Sequence, residues 1–194
     1  MKFDAILRIA ATVSLAAGAT LLNGCIPLAI TGVVATTQIA TDRRTTGAQL
    51  DDEFIEDKAV AQIAERMKSD IHVNVTSYNG IVLLTGEVPT AGTKNDIEQI
   101  VRSMPKVRSI QDELVIGPTS DISARTNDTF ITSKVKTRFV ETNKFQISHV
   151  KVVTERSVVY LMGVVRRDEG DAAAEIARTT SGVERVVKVF EYIS

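Results

Sequence analysis

Asp52-Glu53-Phe54-Ile55-Glu56-Asp57-Lys58 returns later in the chain as Asp128-Thr129-Phe130-Ile131-Thr132-Ser133-Lys134. The echo runs on from these heptapeptides. Residues 52–116 are matched by residues 128–193 through two valine-rich hairpins that share a glycine, Gly86 and Gly163, and through two closing strands. One small supersecondary unit has been duplicated, and the differences between its copies are the best guide to function.

Each copy reads helix, strand, strand, helix, strand. In the opening helices Ile55, Ala59 and Ile63 match Ile131, Val135 and Phe139, a spacing of four that lays one apolar stripe toward a core. The first hairpin alternates through His72-Val73-Asn74-Val75, turns at Tyr78-Asn79-Gly80 and returns through Val82 and Leu84 to Gly86. Asn-Gly supplies the positive φ angles of a tight antiparallel turn. The second hairpin has Glu155-Arg156-Ser157 at that place, which predicts a less strictly shaped loop. Gly86 and Gly163 mark a bulge or a close helix approach. An amphipathic helix follows each hairpin (Ile97, Ile100, Val101, Met104; Ala173, Ile176, Ala177) and leads to a last strand, 107–116 or 183–193. A helical crossover sets that strand parallel to its partner. The fold class is therefore α+β, with two tandem α-β-β-α-β domains, each a mixed three-stranded sheet packed against two helices. At about 65 residues, one copy is close to the size at which a single core becomes marginal, so the two are expected to lean on one another.

Ahead of the repeats stands a leader. Lys2 and Arg8 precede an apolar run from Ile9 to Leu22 that stops at Leu22-Asn23-Gly24-Cys25, the layout of a secretory signal. The run is too short and too rich in small residues for a comfortable membrane span. Cys25 is the one cysteine, so no internal disulfide is possible. Its place after Leu-Asn-Gly resembles a bacterial lipobox, with Asn23 departing from the commoner small residue. A lipobox implies acylation at Cys25, and each acyl methylene contributes ~0.8 kcal/mol on burial. Ile26 in second place of the mature chain, where inner-membrane lipoproteins carry Asp, points by the same resemblance to the outer membrane. Residues 26–50 show no sustained period and read as a tether; a short interfacial helix over 26–39 is the rival reading. The expected organisation is signal peptide 1–24, lipidated tether 25–50, first domain 51–117, linker 118–126 and second domain 127–194.

Removing residues 1–24 takes out Lys2, Arg8 and Asp4 and leaves 21 basic and 23 acidic residues, a net charge of −2. That balance argues against nucleic acid, whose partners concentrate positive charge. Chemistry is sparse as well. His72 and His149 occupy equivalent places in the two hairpins, so duplication explains them, and no His or Cys stands at ligand spacing. No nucleophile elbow, phosphate-binding loop or helical pair of zinc histidines is present. Asp51, Asp52, Glu53, Glu56 and Asp57 read as a solvated first turn complementing the helix dipole, rather than as a cation site. No enzyme, cofactor or metal is expected.

The α-β-β-α-β pattern, with its hairpin closing on glycine and then Ser181-Gly182-Val183-Glu184-Arg185-Val186, resembles the BON domain of bacterial envelope proteins. Two such domains behind a lipobox are similar to the outer-membrane lipoproteins of the DolP family. The most specific parts of the likeness are Thr41-Asp42-Arg43-Arg44-Thr45-Thr46-Gly47-Ala48-Gln49, the opening of the second domain from Asn127 to Val135, and Tyr160-Leu161-Met162-Gly163. The first copy departs with Pro105-Lys106-Val107 where the second has Ser-Gly-Val. The resemblance implies binding of anionic phospholipid (phosphatidylglycerol, cardiolipin) by the second domain, support of envelope integrity and enrichment at the division site. Where that family carries a membrane-dipping tryptophan, this chain has Phe130. Phenylalanine keeps the apolar wedge without the indole N–H that favours the headgroup zone.

Charge separates the copies. Over 51–68 the balance is −3, and over 127–144, with Lys134, Lys136, Arg138 and Lys144 against Asp128 and Glu141, it is +2. A negative lipid surface repels the first and attracts the second, at ~1 kcal/mol per well-placed base. With Ile131, Val135 and Phe139 on the sheet, Phe130 shares an outward stripe with Lys134, Thr137 and Glu141. The expected phospholipid contact is Phe130, Ile131, Lys134, Thr137 and Arg138. Two readings stay open beside it. Phe130 packs at an interdomain contact or staples the helix start, as Phe54 would in the first copy; or the same helix serves a protein partner, making the chain an adaptor, for instance of the outer-membrane barrel-assembly machinery.

Overall fold

The computed structural model describes residues 42–67 and 71–194. The expected signal peptide, Cys25 and the stretch read as tether or interfacial helix up to residue 41 lie outside the described residues. Among those described, no helix is long and apolar enough to cross a membrane.

Helix α1 (Thr46–Arg66) opens the first domain, followed by β1 (His72–Tyr78), β2 (Ile81–Val88), α2 (Ala91–Arg102) and β3 (Ser109–Ile116). The second domain repeats the order as α3 (Ile122–Thr142), β4 (Val150–Glu155), β5 (Val158–Arg166), α4 (Arg167–Arg178) and β6 (Arg185–Ile193). Each sheet has the hairpin's return strand in the middle, antiparallel to its predecessor and parallel to the strand after the crossover helix.

Both opening helices start earlier than the repeat does. Thr45 caps α1 by accepting from the Ala48 N–H, and Asp121 caps α3 by accepting from the Ala124 N–H. Five residues at the end of the presumed tether and five at the end of the presumed linker are therefore helical, because a hydroxyl and a carboxylate stand where the first orphan N–H groups need acceptors.

The apolar stripes land where their spacing sends them. Ile55, Ala59 and Ile63 join Val82, Leu84, Val88, Ile97 and Val101 in one core, and Ile131, Val135 and Phe139 join Val159, Leu161, Val165, Ala173 and Ala177 in another. A third core lies between the two sheets: Tyr78 and Leu83 from the first domain meet Tyr160, Met162 and Val164 from the second. The domains thus pack sheet face to sheet face, with their helices outside. This explains why β2 and β5 are buried along nearly their whole length and why they lack the alternation of a strand with one wet face.

Three local expectations change. The carboxylate of Asp52 is buried rather than solvated: it accepts from the Ser77 hydroxyl and from the N–H groups of Asn79 and Gly80 in the first hairpin turn. Asp128 accepts from the Arg156 and Ser157 N–H groups in the second. The second turn is accordingly as tightly shaped as the first, with Arg156 and Ser157 at φ 51° and 61° against 52° and 74° for Asn79 and Gly80. A buried carboxylate reaching over from the helix fixes a two-residue turn that its own side chains disfavour. Gly86 and Gly163 admit a strand rather than a helix: a Cβ there would stand 1.9 Å from the His72 carbonyl oxygen and 2.2 Å from that of His149.

Candidate functional site

Helix α3 lies on the outer side of the second domain, its stripe of Ile131, Val135 and Phe139 fully or almost fully buried. Phe130, one position before Ile131, is turned out, with 61% of its surface exposed. It neither touches the sheet-to-sheet core nor staples the helix start, so the sealed-ring readings do not hold.

Lys134 stands one turn on, its ammonium 4.8 Å from the centre of the Phe130 ring and within hydrogen-bonding reach of the Ser181 carbonyl. Arg138, a further turn along, donates to the Ile176 carbonyl and the Thr180 hydroxyl, both at 2.8 Å. These bases close over the carbonyl end of α4, where cations complement the helix dipole. Phe130, Lys134, Thr137, Arg138, Thr180 and Ser181 line one open groove, with Glu141 at its side. The Thr137 hydroxyl is occupied by the Ser133 carbonyl, so Thr137 offers its methyl. Ile131 does not belong here: it is fully buried, because its place in the i, i+4 stripe commits it to the core.

Gly182 explains how the floor of this groove approaches α3. Its φ is +96°, and a Cβ would stand 3.1 Å from Ile131. In the first domain Lys106 keeps the left-handed φ at 72° but brings a long side chain to the corresponding place, its ammonium 4.0 Å from Asp51.

Exposure of the ring does not distinguish the domains. Phe54 is 53% exposed and has Lys58 5.2 Å from its centre, a near copy of the Phe130–Lys134 pair. Charge does distinguish them. Removing buried Asp52 and Asp128 from the two windows leaves −2 and +3. Among the described residues, none of Lys134, Lys136, Arg138 or Lys144 pairs with a carboxylate, whereas Asp51, Asp52 and Glu56 of α1 are paired with Lys106, Arg44 and Lys151.

Arg43 and Arg44 have a role that nothing in their local sequence signals. Arg43 donates to the Val164 carbonyl and, twice, to Glu169 of α4. Arg44 bonds Asp42 and Asp52 and lies 3.9 Å over the Tyr78 ring. Burial, with Asp42 and Asp52 nearby, pushes the Tyr78 hydroxyl up to about 12. The segment entering α1 is thus fastened to both domains. Two adjacent arginines in a polar stretch carried no signal of this, since their partners are remote in sequence.

A BON domain model matches residues 51–118 and again residues 127–194. The chain is 36% identical over 179 residues, 91% of its length and 93% of the relative's, to "Outer membrane lipoprotein DolP" of Haemophilus influenzae. It is 32% identical to a "21 kDa hemolysin" of Actinobacillus pleuropneumoniae, over 78% of this chain and 79% of the other. It is 28% identical to "Osmotically-inducible protein Y" of Escherichia coli, over 72% of each.

Proposed function

We propose, from the premise that this chain belongs to the BON-domain family and to its outer-membrane lipoproteins, that its second domain seats the Phe130 face of α3 on anionic phospholipid. In this reading the chain is a non-enzymatic envelope protein. Acyl chains on Cys25 hold it at the inner face of the outer membrane, and the second domain positions it, supporting envelope integrity and division-site enrichment. The single observation that carries the reading is the exposed Phe130 ring set among bases that, among the described residues, pair with no carboxylate. The ring enters the interface as an apolar wedge, while the lysine stem lies along lipid and its ammonium reaches phosphate.

Flotation with vesicles of the chain from Ile26 onward, which carries no acyl anchor, tests this. Phosphatidylglycerol or cardiolipin vesicles are expected to bind it and phosphatidylcholine vesicles to bind it much less, with Phe130→Glu abolishing the difference. Equal binding by wild type and variant would favour the adaptor reading. The adaptor reading places the partner on α3 itself; a separate protein-binding reading, on α1, is supported by Leu50 and Phe54, both exposed beside Glu53 and Asp57, a surface suited to a basic protein partner such as a component of outer-membrane assembly.

A further inference from the structure

We propose that His72, Glu87 and Glu155 form a divalent-metal site in the seam between the two domains, taking a transition ion of the zinc type. His72 opens β1 and Glu87 lies directly opposite it on β2, so their side chains share a face. Glu155 ends β4 in the other domain. One ligand atom from each of the three lies within 4.8 Å of the other two, and His72 Nε2 stands 3.5 Å from Glu155 Oε1.

The second, independent observation is the state of Glu87. It is fully buried; its Oε2 accepts from the Ser120 N–H at 3.1 Å, while among the described residues no donor bonds its Oε1. Leaving a buried carboxylate oxygen without a donor is costly, and a second buried carboxylate beside it adds repulsion. Arg156 is the cation at hand, its Nη1 3.8 Å from Glu87 Oε1, on a side chain that is half exposed. It neutralises charge from the rim without donating to the oxygen. On Glu155, Asn74 Nδ2 holds Oε2 at 2.8 Å, which leaves Oε1 turned to His72.

One imidazole and two carboxylates are a ligand set that zinc accepts, with a water in the fourth position. Tetrahedral ligands at ~2.1 Å from the ion stand about 3.4 Å from one another. The His72–Glu155 pair already meets that spacing, and Glu87 needs to close by no more than about 1.4 Å. Duplication does not account for the cluster. Around His149, the equivalent of His72, Val164 replaces Glu87 and Tyr78 replaces Glu155. Because its ligands come from both domains, the bound ion clamps the two sheets together.

The test is titration of the full-length protein in detergent, stripped by chelator, with Zn(II) by calorimetry and Co(II) by absorption. One equivalent per chain is expected, with a Co(II) ligand-field band and no thiolate charge-transfer band, which excludes Cys25. The thermal midpoint should rise with Zn(II). Glu87→Gln and Glu155→Gln are each expected to lower affinity at least about tenfold, and Arg156→Asn, which removes the competing cation while suiting the positive φ, to raise it. The wild-type Co(II) spectrum decides even if a glutamine variant does not fold. Absence of stoichiometric binding, a thiolate band, or unchanged affinity in both folded glutamine variants overturns the site.

Discussion

Arg43 and Glu169 stand 126 positions apart and form a two-pronged ion pair, Nη1 to Oε2 at 2.6 Å and Nη2 to Oε1 at 2.9 Å. The pair ties the segment that enters the first domain to the start of α4 in the second. The same carboxylate accepts from the Arg166 N–H and so caps its own helix. One residue thereby links helix start, sheet end and entering chain, and its removal reaches beyond a surface charge.

Hydrogen bonding from Arg43 holds the Glu169 carboxyl below the usual range, and bonding from Arg108 across the domain boundary does the same for Glu191. A carboxyl whose folded pKa is depressed contributes stability that is fully present above its unfolded pKa, about 4.3, and is lost as pH falls through the folded value. The urea midpoint is expected to fall on acidification from about pH 5 to 3. Glu169→Gln should start lower at pH 7 and fall less steeply. A parallel curve for the variant would show that Glu169 is not coupled to the folded state.

Asp52 and Asp128 serve equivalent turns but not equally. Asp52 accepts from three groups of the first hairpin and pairs with Arg44 at 2.8 Å, whereas Asp128 accepts from two backbone groups. Asp52→Ala is expected to cost about 4 kcal/mol and Asp128→Ala about 2 kcal/mol, on the scale of buried donors and a buried cation left without acceptors. Denaturant unfolding of both variants reads the order directly, and a reversed order would contradict it.

Gly86 and Gly163 lie within a Cβ's reach of the neighbouring strand's carbonyl oxygen, with no flexible side chain there to yield. Alanine at either place is expected to destabilise by about 3 kcal/mol. Gly117, whose Cβ would meet nothing within 4 Å, should accept alanine with little change in thermal midpoint.

At the proposed lipid face, Lys134→Ala is expected to weaken binding to phosphatidylglycerol vesicles about fivefold, the equivalent of ~1 kcal/mol for one base, and to make the salt dependence shallower. Phe54→Glu on α1 should leave vesicle binding unchanged, although its ring is nearly as exposed as that of Phe130. Loss of binding in Phe54→Glu would move the contact to the first domain.

Much of this molecule is legible in its sequence. The repeat, the α-β-β-α-β order, the parallel closing strands and the stripes through Ile55 and Ile131 follow from spacing, because helix and strand periods are local properties of the backbone. The outward direction of Phe130 follows in the same way, as neighbour of a committed core position. What spacing could not convey is anything that depends on the second face of the sheets. Leu83, Tyr160 and Met162 meet across the domains, Asp52 and Asp128 turn inward to hold hairpin N–H groups, Arg43 finds Glu169, and His72, Glu87 and Glu155 converge from three strands. Each of these joins residues far apart in sequence. The packing of sheet on sheet chose them, since it alone settles which polar groups lose their water and must find a partner in the other half of the chain.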